Sequence, residues 1–264
     1  MEIIAVYNIK GGVGKTTTAV NLAYLSAAAG WPTLLWDLDP QGAATYLLRS
    51  RPRKKGGAKR LIRGERELDR LVRATDYERL DILPADFSYR HMDVHLNERK
   101  KPAARLLKLM RPLRKRYGCL FLDCPPGISL VSENILHAAD AIVVPVLPSP
   151  LSARMLEQLS EFIDENNWKD LLLLPFLSMV DRRRTLHRDG VTHLRERFPM
   201  MLKSEVPYAS VIEQASVRRG PLPAYAPKSA AAQIYTALWQ EIDARLETAY
   251  GRGEPPADGG GGEA

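Results

Sequence analysis

Cysteine is scarce. Only Cys119 and Cys124 occur in 264 residues, too few for a disulfide framework, so a reducing cytosol is the expected setting. Long apolar runs are missing too. None approaches the ~20 residues that a helical membrane span needs. No basic region followed by an apolar stretch opens the chain, so no signal peptide is expected. Aromatic residues make up only 7%. Bulk disorder does not fit, because 45% of residues are apolar and 26% charged, ordinary shares for a globular chain. That apolar content fills a sizeable core, in one large domain or two small ones. What stands in excess is positive charge. Lys+Arg number 38 against 31 Asp+Glu, a net +7, which suggests a polyanionic partner.

The pattern along the chain alternates. Glu2–Asn8 reads as a strand, Ile9–Lys15 as a Gly-rich turn, and Thr16–Ala29 as a helix that stops at Gly30. Thr33–Leu38 is a second strand. This β–loop–α–β order forces a parallel sheet with a right-handed crossover. Leu80–Leu83, Cys119–Asp123, Ala141–Val146 and Leu171–Met179 follow as strands; the second and third are continuous apolar runs, as strands buried on both faces require. Pro102–Tyr117 reads as a helix with Leu106, Leu109, Met110 and Leu113 on one side, and Pro112 is placed to kink it. Ser229–Tyr250 reads as a closing helix whose Ile234, Leu238, Ile242 and Leu246 face the core. The expected fold is therefore α/β, a doubly wound, mostly parallel sheet flanked by helices. One domain over residues 1–250 is expected, then a Gly/Pro-rich acidic tail, 251–264, that reads as disordered.

The most informative stretch is KGGVGKTT, Lys10–Thr17, between a buried strand and a helix start. Glycines let backbone N–H groups turn inward around phosphate oxygens, and the helix dipole adds positive potential. Gly11, Gly12, Val13, Gly14, Lys15, Thr16 and Thr17 are the candidate phosphate cradle. Lys15 can reach β- and γ-phosphates, and the Thr16 hydroxyl can ligate Mg²⁺. A Gly-rich turn without a ligand is the bland alternative, and the strand–loop–helix context argues against it. Two further carboxylate motifs follow strands. Asp37-Leu-Asp39-Pro-Gln-Gly42 ends the second strand, where side chains in an open α/β sheet point into the ligand crevice. Asp123, before Cys124-Pro-Pro-Gly127, is a Walker B arrangement suited to holding Mg²⁺ through water.

The loop departs from the general phosphate-loop pattern: its usual first Gly is Ile9, and a second lysine, Lys10, stands at its start. This form resembles the deviant Walker A motif of the ParA/MinD family of P-loop ATPases. DLDPQG resembles that family's first switch, and DCPP its Walker B strand end. Looser likenesses continue through Pro145–Pro148, Val206–Tyr208, Glu213–Ala215 and Pro221–Ser229, so the resemblance covers about residues 1–250 and is weakest across 49–116. It implies ATP and Mg²⁺ as cofactors and a homodimer formed around ATP. Lys10 would cross the dimer interface to the partner's nucleotide, and Asp39 would place the attacking water and support the Mg²⁺ shell with Thr16 and Asp123. Asp37 would assist from outside that shell, and Pro207 would line the adenine pocket.

Charge is localised. Arg49–Arg73 carries eleven Lys/Arg and three acids, and Arg99–Arg116 nine Lys/Arg and no acid, so these windows hold +17 and the rest of the chain −10. That is the footprint of a polyanion surface, with a pair of solvated faces as the alternative. Neither window contains an aromatic residue, so phosphate contact without base reading fits better. The resemblance implies nucleoid DNA held without sequence preference by the C-terminal third, where Arg218, Arg219 and Lys228 are the candidates beside Arg182–Arg184. The 51–60 run is longer than the family loop and reads as an extra contact or an arm.

His91 and His95 could share a metal but lack a third ligand. The strand at Glu2 leaves no room for an N-terminal helix-turn-helix, so the small type of family member is expected. The acidic Gly-rich end argues against the basic membrane helix of MinD-like relatives. The expected function is a weak ATPase, stimulated by DNA and a ParB-like adaptor, that segregates a plasmid or chromosome in the cytoplasm on the nucleoid. The same ATPase acting on a protein organelle, and a P-loop small-molecule kinase, are the alternatives.

Overall fold

The computed structural model describes residues 1–52, 57–65, 67–99 and 102–255. Eight strands form one sheet: β1 Glu2–Val6, β2 Thr33–Asp37, β3 Arg73–Ala74, β4 Leu80–Leu83, β5 Cys119–Asp123, β6 Ala141–Val146, β7 Leu172–Val180 and β8 Glu205–Pro207. Their order is β3-β4-β2-β5-β1-β6-β7-β8, and all neighbours are parallel except the antiparallel β3–β4 edge. Every residue of β2, β5 and β6 is buried, the outcome that the apolar runs of β5 and β6 imply.

Helices cover both faces. On one lie α1 Lys15–Ala28, α2 Ala43–Leu47 and the C-terminal helices; on the other lie α3 Ala58–Arg63, α4 Met92–Asn97, α5 Arg105–Met110, α6 Leu130–Ala138, α7 Pro150–Glu165 and α8 Thr185–Arg197. The C-terminal group is α9 Ser210–Glu213, α10 Ala215–Arg218, α11 Leu222–Tyr225 and α12 Ala230–Tyr250. Alternate residues of a strand feed the two cores: Ile3, Ala5 and Tyr7 of the first strand region pack on one side, Ile4 and Val6 on the other. The fold is thus the expected doubly wound α/β sheet.

Several details differ from the sequence expectation. Pro102–Tyr117 is not one helix. Only Arg105–Met110 is α-helical, between 3₁₀ turns at Pro102–Ala104 and Arg111–Lys115. Pro112 supplies no N–H and crowds the preceding turn, so the α-helix ends at Met110. Leu106, Met110 and Leu113 still point inward, while Leu109 is half-buried. In α12, capped by the Ser229 hydroxyl, Leu238, Ile242 and Leu246 are buried but Ile234 only partly. The segment expected to begin a disordered tail is packed at its start. Arg252 is buried over Trp31, 3.9 Å from the ring centroid, and pairs with Glu2 at 3.3 Å and with Asp243. The rest of that tail, 256–264, and residues 53–56 of the basic run lie outside the described residues.

Candidate nucleotide site

Strand order decides what meets what. β1 lies beside β5, and β5 beside β2, so the loops after β1, β2 and β5 emerge together at the carboxyl edge of the sheet. In register, Asp37 is level with Asp123, and Asp123 with Val6. Two carboxylates distant in sequence therefore stand side by side next to the strand that leads into the Gly-rich loop.

That loop is held from several sides. Asn8 accepts the Lys10 N–H at 2.9 Å and donates to the Pro145 carbonyl at 2.8 Å. Gly127 N–H donates to the Ile9 carbonyl at 2.9 Å. Ser178, on β7, donates to the buried Val13's carbonyl at 2.9 Å. Gly14 has φ 92° directly before α1, a backbone that side-chain-bearing residues adopt only under strain, and a Cβ there would sit 3.3 Å from the Ser178 oxygen, which would have to shift slightly. Gly11 and Gly12 are exposed, and Thr16 and Thr17 are half-buried in the first turn of α1.

Lys15 is 7% exposed, and its Nζ donates to the Lys10 carbonyl at 2.6 Å, folding back over the loop. Burial lowers its pKa, while Cys124, Asp123 and Asp39 pull it up again. Among the described residues no carboxylate pairs with the half-exposed Lys10 ammonium.

The carboxylates differ in their surroundings. Asp37 is fully buried and accepts both the amide and the hydroxyl of Thr45, at 2.8 and 2.7 Å. Burial pushes its pKa up, and the Thr45 bonds counter this. Asp39 is half-buried and accepts the Gln41 N–H at 2.9 Å. Asp123 is fully buried, and neither oxygen completes a hydrogen bond. Burial pushes it well above the usual carboxylate range, and Asp37 and Asp39 add repulsion. The Thr16 hydroxyl and Lys15 ease the charge without closing a bond. Such an orphaned buried acid is the mark of a position built for a missing cationic or donor partner.

Pro207 lies on β8 beside Val180 and lines an open pocket of about 370 Å³ with Arg182, Lys203, Glu205 and Ile234. A register shift between Leu177 and Val180, with Met179 at φ 55°, bends β7 here between Ser178 at the loop and Val180 at the pocket. Arg218 and Lys228 are exposed and Arg219 half-buried, on and after α10, and hydrogen bonds of Arg218 and Arg219 run to Tyr46 and Arg49. Parts of the basic windows are engaged internally. Arg105 donates to the Ile62 carbonyl, Arg116 pairs with Asp69 and Asp81, and Arg70 with Glu67. Sequence reasoning missed Asn8, Thr45 and Ser178, because no spacing rule marks a hydroxyl or amide that reaches the site through space.

Comparison with known proteins follows the same lines. Residues 1–171 match a family profile described as an AAA domain. Over 252 residues the chain is 30% identical to the sporulation initiation inhibitor protein Soj of Bacillus subtilis, spanning 92% of this chain and 98% of Soj. It is 32% identical over 247 residues to the chromosome partitioning protein ParA of Myxococcus xanthus, spanning 91% and 87%. The structure of cobyrinic acid a,c-diamide synthase from Mycobacterium smegmatis with bound ADP and magnesium matches with a TM-score of 0.77 at 26% identity, covering 97% of this chain and 98% of that one.

Proposed function

This chain belongs to the ParA/MinD family of P-loop ATPases, and from that premise we propose that it hydrolyses ATP to drive the segregation or positioning of a DNA cargo. The observation that carries the reading is the meeting of Lys15, Asp37, Asp39 and Asp123 at the edge of β1, β2 and β5, with both Asp123 oxygens buried and unpartnered. A hard cation fits there. Thr16, Asp39 and Asp123 offer only oxygen donors. Among the described residues no three His, Cys, Asp or Glu side chains form a chelating cluster, which suits Mg²⁺ carried largely by phosphate oxygens and water. When bound, Mg²⁺ would neutralise charge between the β- and γ-phosphates.

The chain's own residues divide the remaining work. The amides of Gly11, Gly12, Val13 and Gly14, with Lys15, Thr16 and Thr17, hold the phosphates. Asp39, the more exposed carboxylate, orients the attacking water. Asp37 fixes the polypeptide around it through Thr45. Lys10, whose ammonium no carboxylate claims among the described residues, acts across an ATP-dependent homodimer on the partner's phosphates, where added positive charge stabilises the transition state. Pro207 lines the adenine pocket. Arg218, Arg219 and Lys228 hold nucleoid DNA without reading sequence, and a ParB-like adaptor carried on the cargo stimulates hydrolysis. In this reading the protein works in the cytoplasm, on the nucleoid. Among the described residues no helix is long and apolar enough to cross a membrane.

Fluorescence anisotropy on unrelated duplexes, with ATP or ADP across a salt series, tests this. Dimerisation makes the second DNA contact intramolecular, so ATP should raise affinity steeply. Three contacts on each of two subunits give a log–log salt slope of about −5. Equal affinity in ATP and ADP, or tight binding to a single sequence, contradicts the proposal.

A further inference from the structure

The helix after the first switch has two attachments of different kinds. On its inner side Thr45 is bonded twice to one Asp37 oxygen, and its hydroxyl also accepts the Ala85 N–H at 2.8 Å. The next residue, Tyr46, faces out, with half its surface exposed. Its carbonyl accepts Arg219 Nε at 3.1 Å, and the Arg219 guanidinium lies 4.4 Å above its ring. A return contact closes the arrangement. Arg49 Nε donates to the Arg219 carbonyl and its Nη2 to the Arg218 carbonyl, both at 3.1 Å. Arg49 also meets Asp76 at 3.6 Å. The result is a reciprocal clasp between α2 and the end of α10, joining two basic regions that lie 170 residues apart.

Two features set this clasp apart from ordinary surface pairing. Arg49 and Arg219 both hold a positive φ, 53° and 52°, which non-glycine residues keep only where surroundings impose it. The clasp sets the Arg49 guanidinium on the Arg218 and Arg219 carbonyls and the Arg219 guanidinium on the Tyr46 carbonyl, and the adjoining Arg218 side chain is exposed, with no acidic partner among the described residues. Arg219 is held by a carbonyl and an aromatic face, and Arg49 by two carbonyls with Asp76 at 3.6 Å, so the N–H groups that the clasp does not use remain available for phosphate oxygens.

We propose that this clasp is the link through which the nucleotide site governs the polyanion surface, an inference that rests on the function proposed above. Thr45 and Tyr46 are consecutive residues, so a change in what Asp37 binds passes across a single peptide unit to Arg219. The position of α2 then sets whether Arg49, Arg218 and Arg219 face a phosphodiester backbone together. Coupling of this kind is reciprocal, so DNA raises affinity for ATP by the same factor that ATP raises affinity for DNA.

The test compares Tyr46→Ala and Arg49→Ala with Arg218→Ala, in the full chain. Anisotropy of a labelled duplex is read in ADP and in a slowly hydrolysed ATP analogue. Tyr46→Ala and Arg49→Ala are expected to shrink the ratio of the two affinities by about ten-fold. Arg218→Ala is expected to weaken both states alike, as loss of a plain phosphate contact does. If Tyr46→Ala and Arg49→Ala also weaken both states alike, the link is refuted. A second readout does not depend on DNA. Hydrogen exchange of amides 214–220 is followed with and without Mg·ATP. Protection that responds to nucleotide in the wild type but not in Tyr46→Ala supports the link. Protection that ignores nucleotide in the wild type, or responds equally in both proteins, overturns it. Wild-type protein that fails to bind DNA, yet shows this exchange response, refutes the DNA function and leaves the clasp standing.

Discussion

Asp123→Asn puts the nucleotide site to a thermodynamic test. Asp123 is fully buried with neither oxygen hydrogen-bonded, and it stands level with Asp37 on the neighbouring strand. Asparagine keeps the shape and removes the charge. A buried polar group without a partner costs about 1–3 kcal/mol, and more when charged. Asparagine leaves part of that cost in place, so the expected net gain at about pH 8 is ~2 kcal/mol in the protein without nucleotide. With unfolding entropy near 2 cal/mol/K per residue, a chain of this length gains about 4 °C in Tm. The sign with pH follows from the raised pKa. Folded Asp123 holds its proton to higher pH than the unfolded chain does, so the native state binds more protons across that window. Wild-type stability therefore falls as pH rises from the unfolded value near 4 through the raised folded value. Asp37 is present in both proteins, so the difference isolates Asp123 and its repulsion with its neighbours. Calorimetry from about pH 5 to pH 8 should show the Tm gap widening with pH. Mg·ATP should reverse the order, because a ligand at a hundred times its Kd adds about 2.7 kcal/mol to a protein that binds it and little to one that does not. A gap independent of pH, or a variant less stable than wild type at about pH 8, refutes the assignment of Asp123 as a charge awaiting a cation.

Lys15→Ala should abolish ATP binding by equilibrium titration, since the buried ammonium over the loop is lost; retained binding would contradict its role. Asp39→Ala should bind ATP yet hydrolyse it poorly and persist as a dimer, and a wild-type rate of phosphate release would remove Asp39 from the reaction. Lys10→Ala should weaken the ATP-bound dimer in light scattering more than it weakens nucleotide binding by the monomer; normal dimers with full activity would rule out action in trans. Gly190→Ala places a Cβ 2.6 Å from the Pro148 carbonyl oxygen, against backbone that cannot yield. Overpacking of about 2 kcal/mol exceeds the ~1 kcal/mol that alanine gains inside a helix, so Tm should fall, and an unchanged Tm would show that α8 shifts freely.

Local chemistry explains why so much of this protein could be read along the chain. A strand buried on both faces must be continuously apolar, which marks β5 and β6, and a phosphate loop needs glycines between a strand and a helix, which marks Gly11–Thr17. Helix stops at Gly30 and Gly251 follow from the left-handed backbone that each residue adopts there. Those features depend on neighbours within a turn or two, so sequence alone determined the α/β class, the loop and the carboxylates that end its strands. Pairing across the sheet is not local. Which strand lies beside β1 follows from packing of helices on both faces, and only that order sets Asp123 level with Asp37 and leaves its oxygens without partners. The hydroxyls of Thr45 and Ser178 reach the site by the same route. Charge counting separated the window around Arg49 from Arg218 and Arg219, whereas the tertiary structure joins them through backbone carbonyls that no residue pattern encodes. It also buries Arg252 between two tryptophans in a segment whose composition reads as tail, because cation–π contact and ion pairs depend on where the chain returns in space.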